Sequence, residues 1–501
     1  MVLLKTAAFK AYIDKFNKND EELYVRYINN ASAWDWLEAN IPFFECPDKN
    51  IEETYYFRWW TYRKHIKNTP DGFVISEFLP NVPWAGTHNT INASAGHHIY
   101  EGRWLKDSRY LKDYIRFWYK KGGALRSYSS WLTDAVWQFC AVSGDLTLAL
   151  ELLPDFVSDY REREKTNLHP SGLFWSSDDR DAMEYSISGD GLRPTLNSYM
   201  YACARAISKI GKIAGKTNIA AEFEAKAAAL KKLIQEKLWD GASGFYKVFP
   251  IDSKDRAIDD WSFGALDKNR NVREQIGFIP WYFNLPDPGY ESAWAQITSN
   301  DGFFAPFGPA TAEQRHPMFL YKAENHECLW NGQSWPFATS QTLTAFANLL
   351  RCYKQNYVDK TDYFKLLSIY TMSHRLEKDG KEVNWIDENL DPLTGSWTSR
   401  AILKKWGWPR VKGGYERGKD YNHSTYCDLI ISGLIGLLPN AGGAPDINPL
   451  VPDEWDFFCL DSIRYHGKSL TVIYDKDGSR YGKGAGLTVF LDGEAHIREL
   501  T

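Results

Sequence analysis

From about residue 8 to residue 440 the chain alternates blocks of helical period with long loops, and this alternation restricts the fold more than any other feature. The clearest block is 199–238, which is Ala-rich and carries Ile207, Ile210 and Ile213 three apart. It breaks at Gly215-Lys216-Thr217-Asn218 and resumes from Ala220, so the spacing predicts two antiparallel helices joined by a short polar turn. The second ends at Leu238-Trp239-Asp240, before Gly244-Phe245-Tyr246, with glycines to stop it. Further helical blocks are expected near 109–120, 131–151, 338–356, 362–377 and 424–438. Between them run loops at 68–96, 166–198, 240–337 and 383–422, rich in Trp, Gly, Pro and carboxylates. Compact domains rarely carry loops of this length unless the loops build a functional surface. On a helical frame, that predicts a ring of hairpins with a pocket at one end.

After Pro445 the texture changes. The segment 465–474 reads as a strand, Asp475-Lys476-Asp477-Gly478 as a hairpin turn and 486–492 as another strand. The expected division is therefore a helical domain over 1–445 and a small β-rich appendage over 446–501. At 501 residues the chain is long enough for one large closed architecture plus such an appendage. Its 59 Lys and Arg against 64 Asp and Glu leave a net charge of -5, so nucleic acid is not an expected partner. No apolar run is long enough to span a membrane; the best, 429–438, is interrupted by Gly433 and Gly436. No secretory signal is visible at residues 1–10, consistent with a cytoplasmic protein or with a secreted one whose leader has been removed. The seven cysteines form no C-x-x-C pair, so neither zinc nor a disulfide framework is expected, nor any other cofactor. The 21 Trp are many for a chain this size and supply flat apolar faces of the kind that stack on sugar rings.

Phosphate-loop, dinucleotide, serine-hydrolase and zincin motifs are all missing. What remains is three loop motifs. The first, Trp175-Ser176-Ser177-Asp178-Asp179-Arg180-Asp181-Ala182-Met183-Glu184-Tyr185, holds four carboxylates within seven residues. Crowded like charges raise one another's pKa and keep one carboxyl protonated, as a general acid requires; the plain alternative is a solvated acidic turn capping the next helix. The second, Trp330-Asn331-Gly332-Gln333-Ser334-Trp335, offers aromatic faces with the amides of Asn331 and Gln333, or else is a packing turn. The third, Trp385-Ile386-Asp387-Glu388-Asn389-Leu390-Asp391-Pro392-Leu393-Thr394-Gly395, puts three carboxylates on a Pro/Gly loop. The first and third lie roughly 200 residues apart and are of the kind that supplies the two carboxyls of a glycosidase.

In this order the motifs resemble those of the six-hairpin, (α/α)6-barrel glycosidases of the family 63 type, which include mannosylglycerate and glucosylglycerate hydrolases. The family's acid loop reads approximately G-(M/L/Y)-D-N-S-x-R, and Ala182-Met183-Glu184-Tyr185-Ser186 falls on its frame. Its W-x-G-P-x-W is similar to the motif at 330–335, and its E-x-Y-(N/D)-P-x-T-G to the motif at 388–395. A further family loop is echoed loosely by Pro83-Trp84-Ala85-Gly86-Thr87-His88. Glu replaces Asp at 184, Tyr185 replaces Asn and Asn331 stands where Arg is usual, which marks a divergent branch and keeps Asp181 and Asp179 open as alternative acids.

The resemblance implies a mainly α fold, an (α/α)6 barrel with a small C-terminal antiparallel β appendage. It implies an exo-acting hydrolase of an oligosaccharide or small glycoside that inverts configuration, with Glu184 as general acid and Glu388 as general base. In that reading Asp181 and Asp179 hold up the pKa of Glu184, and Asn389 helps to orient Glu388. Trp84, Trp175, Trp330, Trp335 and Trp385 floor the pocket. Arg180 and Arg193 bind hydroxyls or a carboxylate, and His88 and His423 contact sugar. Two other classes stay open: a polysaccharide lyase or sugar epimerase on an α/α toroid, and a carbohydrate-binding protein on an inactive glycosidase scaffold.

Overall fold

The computed structural model describes residues 3–24, 27–251 and 269–499; the part of the 240–337 loop at 252–268 lies outside the described residues. In chain order the α-helices are α1 (Lys10–Asn19), α2 (Ala33–Asn40), α3 (Lys49–Lys64), α4 (Ala95–Gly102), α5 (Arg109–Lys120), α6 (Leu132–Ser143) and α7 (Thr147–Asn167). They continue as α8 (Pro194–Ile213), α9 (Thr217–Lys237), α10 (Ile279–Tyr282), α11 (Pro336–Cys352), α12 (Lys360–Met372) and α13 (Thr398–Trp406).

Six segments form an inner ring, α4, α6, α8, α10, α11 and the π-helical turn Leu429–Leu434, each packed on the next. The ring closes where Arg103, just after α4, pairs with Asp428 at 2.7 Å, and where the Glu101 carboxylate accepts the N–H groups of Tyr426, Cys427 and Asp428. Outside it stand α3, α5, α7, α9, the short segment Glu291–Gln296 and α12. This is an (α/α)6 barrel. Links from inner to outer helices are short, as at 144–146 and 214–216, whereas the long loops all run from an outer helix to the next inner one. Alternation of direction therefore gathers every long loop at one end.

Local sequence explains most of these boundaries. Every residue of α4 is buried, and a Cβ on Gly96 would lie 2.3 Å from the Trp131 ring, so only glycine lets α4 and α6 approach this closely. Outer α5 buries one stripe, Tyr110, Leu111, Tyr114, Ile115, Phe117 and Trp118, and leaves its charged face to water. The block expected over 131–151 is two helices, because Gly144 takes a left-handed conformation (φ 70°) and ends α6. The block over 362–377 stops at Met372, and Arg375–Lys378 pairs with Lys381–Asn384 as a hairpin. The block over 424–438 shrinks to Leu429–Leu434, followed at Gly436 (φ 75°) by a two-residue strand.

The C-terminal sheet is antiparallel, in the order Phe43–Glu45, Phe457–Tyr465, Lys468–Asp475, Gly486–Leu491, Glu494–Glu499. The strand expected over 465–474 begins only at Lys468, since His466 and Gly467 both adopt positive φ and make a tight turn. Asp475-Lys476-Asp477-Gly478 is a turn, held by the Asp475 carboxylate on the N–H groups of Gly478 and Tyr481. The edge strand comes from near the start of the chain, and Asp461 in the sheet accepts the N–H groups of Leu3 and Leu4. Among the described residues no helix is long and apolar enough to cross a membrane.

Candidate active site

The loop between α7 and α8 is built as a rigid cradle. Its ends pair as strands, Trp175–Ser176 against Gly191–Leu192. Ala182 and Tyr185 between them adopt left-handed backbone at φ 58° and 61°. Such conformations persist only when the surroundings over-determine them. Here the Asp178 carboxylate accepts the Asp179 N–H at 2.8 Å and the Ser186 hydroxyl at 3.2 Å. The Glu274 carboxylate accepts the Ile187 N–H at 2.8 Å and also the Ser188 hydroxyl. Arg193, fully buried, donates to Asp181 at 2.6 Å and to the Gly189 carbonyl at 2.5 Å.

The three loop motifs meet. The Trp330 N–H donates to the Glu184 carbonyl at 3.1 Å, joining the first motif to the second. Ser334 and Leu390 exchange backbone hydrogen bonds of 2.9 and 3.0 Å, joining the second to the third. The left-handed φ of Gly332 (138°) and the Phe319 ring 2.5 Å from where its Cβ would be explain why glycine stands between the two tryptophans. Trp330 and Trp335 stack at 4.4 Å and 10°.

These loops enclose a cleft of about 430 Å3 at the long-loop end, within the range of ligand pockets. Its walls include Glu184, Asp179, Glu77 and Glu327, with Trp84, Trp335 and Trp408 as aromatic faces. Burial, and after it the negative charge of Asp179, pushes the Glu184 carboxyl well above the usual carboxylate range. Burial likewise raises Glu77 to about 8, with the charge of Glu388 adding to the effect, although the Tyr421 hydroxyl donates to Glu77 at 2.5 Å.

Arg417 lines the same cleft. Its guanidinium grips Glu388 with two hydrogen bonds, 2.8 and 3.1 Å, and also donates to Glu327. Burial opposes its charge, but the two carboxylates outweigh that and hold its pKa well above the ordinary value. The Cys328 thiol donates at 3.1 Å to the same Glu388 oxygen, Oε2, that accepts from Arg417 Nη2; burial and the same two carboxylates keep it a thiol. Gly418 follows Arg417 and lies against the third motif: a Cβ there would fall 1.9 Å from Asp387 and 3.1 Å from Glu388. Burial, then the charge of Glu388, lifts Asp387 to about 7.

The residues expected at the site separate into two groups. Glu184, Asp179, Trp84 and Trp335 line the cleft, and Glu388 sits just behind its wall through Arg417 and Cys328. Arg180 is half-exposed beside Asp179, 3.2 Å away, and over the Tyr128 ring. His423 is buried in the layer beneath, its ring 3.6 Å from that of Tyr421 and 6.1 Å from that of Trp335.

The others are held elsewhere. Asp181 is fully buried between Arg193 and the Ser129 hydroxyl, so neither it nor Arg193 faces the cleft; Asp179, with Asp178 and Glu327, supplies the charge felt by Glu184. Asn331 donates both amide hydrogens to the carbonyls of Met318 and Tyr321, and Gln333 is buried beside it. Trp330 lies behind Trp335, while Trp175 donates to the Ile251 carbonyl. Trp385 donates to Asp387 at 3.3 Å beneath the Arg400 guanidinium. His88 pairs with Asp71 at 2.8 Å on a separate surface hollow. Asn389 bonds the Ser399 N–H and the Glu327 carbonyl and does not touch the Glu388 carboxylate; Arg417 and Cys328 do. Among the described residues no group of three or more His, Cys, Asp or Glu is placed to hold a metal ion.

Residues 87–424 match the family model of the mannosylglycerate hydrolase MGH1-like glycoside hydrolase domain. The chain belongs to this family. Residues 439–498 of this MGH1-like glycoside hydrolase match the C-terminal domain of glycosyl hydrolase family 65. A solved structure named as a sialidase is 42% identical with a TM-score of 0.90, over 99% of this chain and 44% of that one. The chain thus spans less than half the length of that relative. The family 63 mannosylglycerate hydrolase of Thermus thermophilus, solved with glucose, has a TM-score of 0.51 at 13% identity, over 75% of this chain and 99% of that one. A family 78 rhamnosidase of a Bacillus species has a TM-score of 0.57 at 12% identity, over 87% of this chain and 40% of that one. The last two share the barrel fold with this MGH1-like chain.

Proposed function

We propose that this MGH1-like chain is an exo-acting glycosidase that inverts configuration on an oligosaccharide or small glycoside, with Glu184 as general acid and Glu388 as general base. The observation that carries the reading is the opposed treatment of the two carboxyls. Glu184 faces the cleft with its pKa raised and, among the described residues, no cation paired with it, ready to give a proton to a leaving oxygen. Glu388 is clasped by Arg417 just behind the cleft wall and, in this reading, polarises a water against the anomeric carbon. Trp84, Trp335 and Trp408 supply the faces on which a sugar ring stacks. The modest cleft volume favours removal of a terminal residue over binding along a chain.

A specific observation favours one second reading, in which Glu327 is the base: it lines the cleft and shares Arg417, whereas Glu388 is almost fully buried. Aryl glycosides with good and poor leaving groups separate the roles. Glu184→Gln is expected to lose about 10²–10⁴-fold in kcat with a poor leaving group and far less with a good one. The base variant loses about as much with both. Full loss in Glu388→Gln with near-normal turnover in Glu327→Gln supports the first reading, and the reverse supports the second. NMR of the anomer first released reports inversion; a retained anomer overturns both.

A further inference from the structure

At the end of the barrel opposite the long loops, a second cavity of about 320 Å3 opens between α6, α8, α10 and α11. Four cations border it, Arg103, Arg205, Lys209 and Arg351, against two carboxylates, Asp134 and Asp428. Two of the cations are engaged. Arg103 is ion-paired with Asp428 at 2.7 Å, and Arg351 donates to the carbonyls of Ser432, Gly433 and Asn448.

Arg205 and Lys209 are held only weakly. They stand one turn apart on α8, and among the described residues neither has a carboxylate within ion-pair reach. Arg205 reaches the Tyr201 hydroxyl at 3.4 Å and the Phe283 carbonyl at 3.5 Å, both at the outer limit of hydrogen bonding. The Lys209 ammonium lies 5.3 Å from the centre of the Trp137 ring. Like charges at this spacing on a helix repel. Lys209 accordingly has a lowered pKa, through burial first and Arg205 second. Asp134 relieves this only in part: it is buried, its pKa is raised by that burial, and it accepts the Tyr100 hydroxyl at 2.6 Å.

We propose that this cavity binds a small doubly charged oxyanion, a phosphate group, between Arg205 and Lys209. The site is distinct from the cleft and uses none of its residues. The group is either free phosphate or one carried on a small sugar, and the experiment tells these apart. Calorimetric titration of the whole chain with inorganic phosphate and with a hexose monophosphate, at constant ionic strength, is expected to show one site. Arg205→Gln and Lys209→Gln are each expected to weaken it about tenfold or more, the effect of one charge-assisted hydrogen bond, with glycoside hydrolysis unchanged. Equal affinity for both probes assigns the free anion, and tighter binding of the hexose monophosphate assigns the carried group. A variant that does not fold is replaced by hydrogen exchange of the unaltered protein, in which either probe should protect α8 near 205–209. No saturable heat with either probe, undiminished binding in both variants, or no protection of α8 overturns the proposal.

Discussion

Arg417 is the residue on which the candidate site turns, because its fork holds two acids from different loops in one geometry. Lysine keeps the charge but not the fork. Arg417→Lys is therefore expected to lower kcat about a hundredfold while circular dichroism stays unchanged, since small misplacement of a catalytic group costs that much. With Glu184 as the proposed general acid, activity is expected to fall as pH rises through its raised pKa, and Glu184→Gln should abolish that alkaline limb. Glu77 speaks to stability instead. Unfolded, it ionises near 4.5; folded, it holds its proton to about 8. Its contribution is thus fully present below about pH 4.5 and is lost progressively towards about pH 8. Glu77→Gln should flatten the melting temperature between those values. No local pattern marks Arg417, Glu77 or Glu327. Each lies in an irregular segment with no motif around it, and only tertiary closure shows what it faces. Asp181 and Arg193 err in the opposite sense: spacing cannot tell a carboxylate aimed at a cleft from one aimed at a buried arginine.

At the scale of elements, period and turn chemistry carried the reading furthest. The α8–α9 hairpin and α5 stand where apolar spacing puts them: outer α5 and α9 each bury one stripe, and inner α8 is buried on almost every side. Boundaries slipped where a single glycine took positive φ, at Gly144 and Gly436, since an isolated glycine reads equally as helix interior or stop. The motif at 330–335 was legible as a unit but not in its parts: one tryptophan lines the cleft, and the other backs it. Close packing of inner helices gives a prediction at this scale. Gly96→Ala forces a methyl into the Trp131 ring and should cost about 1–3 kcal/mol in chemical unfolding, as overpacking does.

At the scale of the molecule, the β-rich appendage marked by the change in composition is tied to residues at the other end of the sequence. The edge strand Phe43–Glu45 and the clasp of Asp461 on Leu3 and Leu4 are invisible to any local pattern, for they join segments more than four hundred residues apart. Asp461→Ala leaves those N–H groups and the Thr471 hydroxyl without their acceptor; a loss of about 1–3 kcal/mol and faster hydrogen exchange in α1 are expected. Ring closure has a consequence for how the chain comes to be made. The carboxylates of Glu101 and Asp428 meet their partners across some 325 residues, so a polypeptide leaving the ribosome carries α4 with its final neighbour still unsynthesised. Until residues 426–428 arrive, Glu101 and Arg103 lack these partners and the ring stays open, so closure of the barrel waits on one of its latest segments.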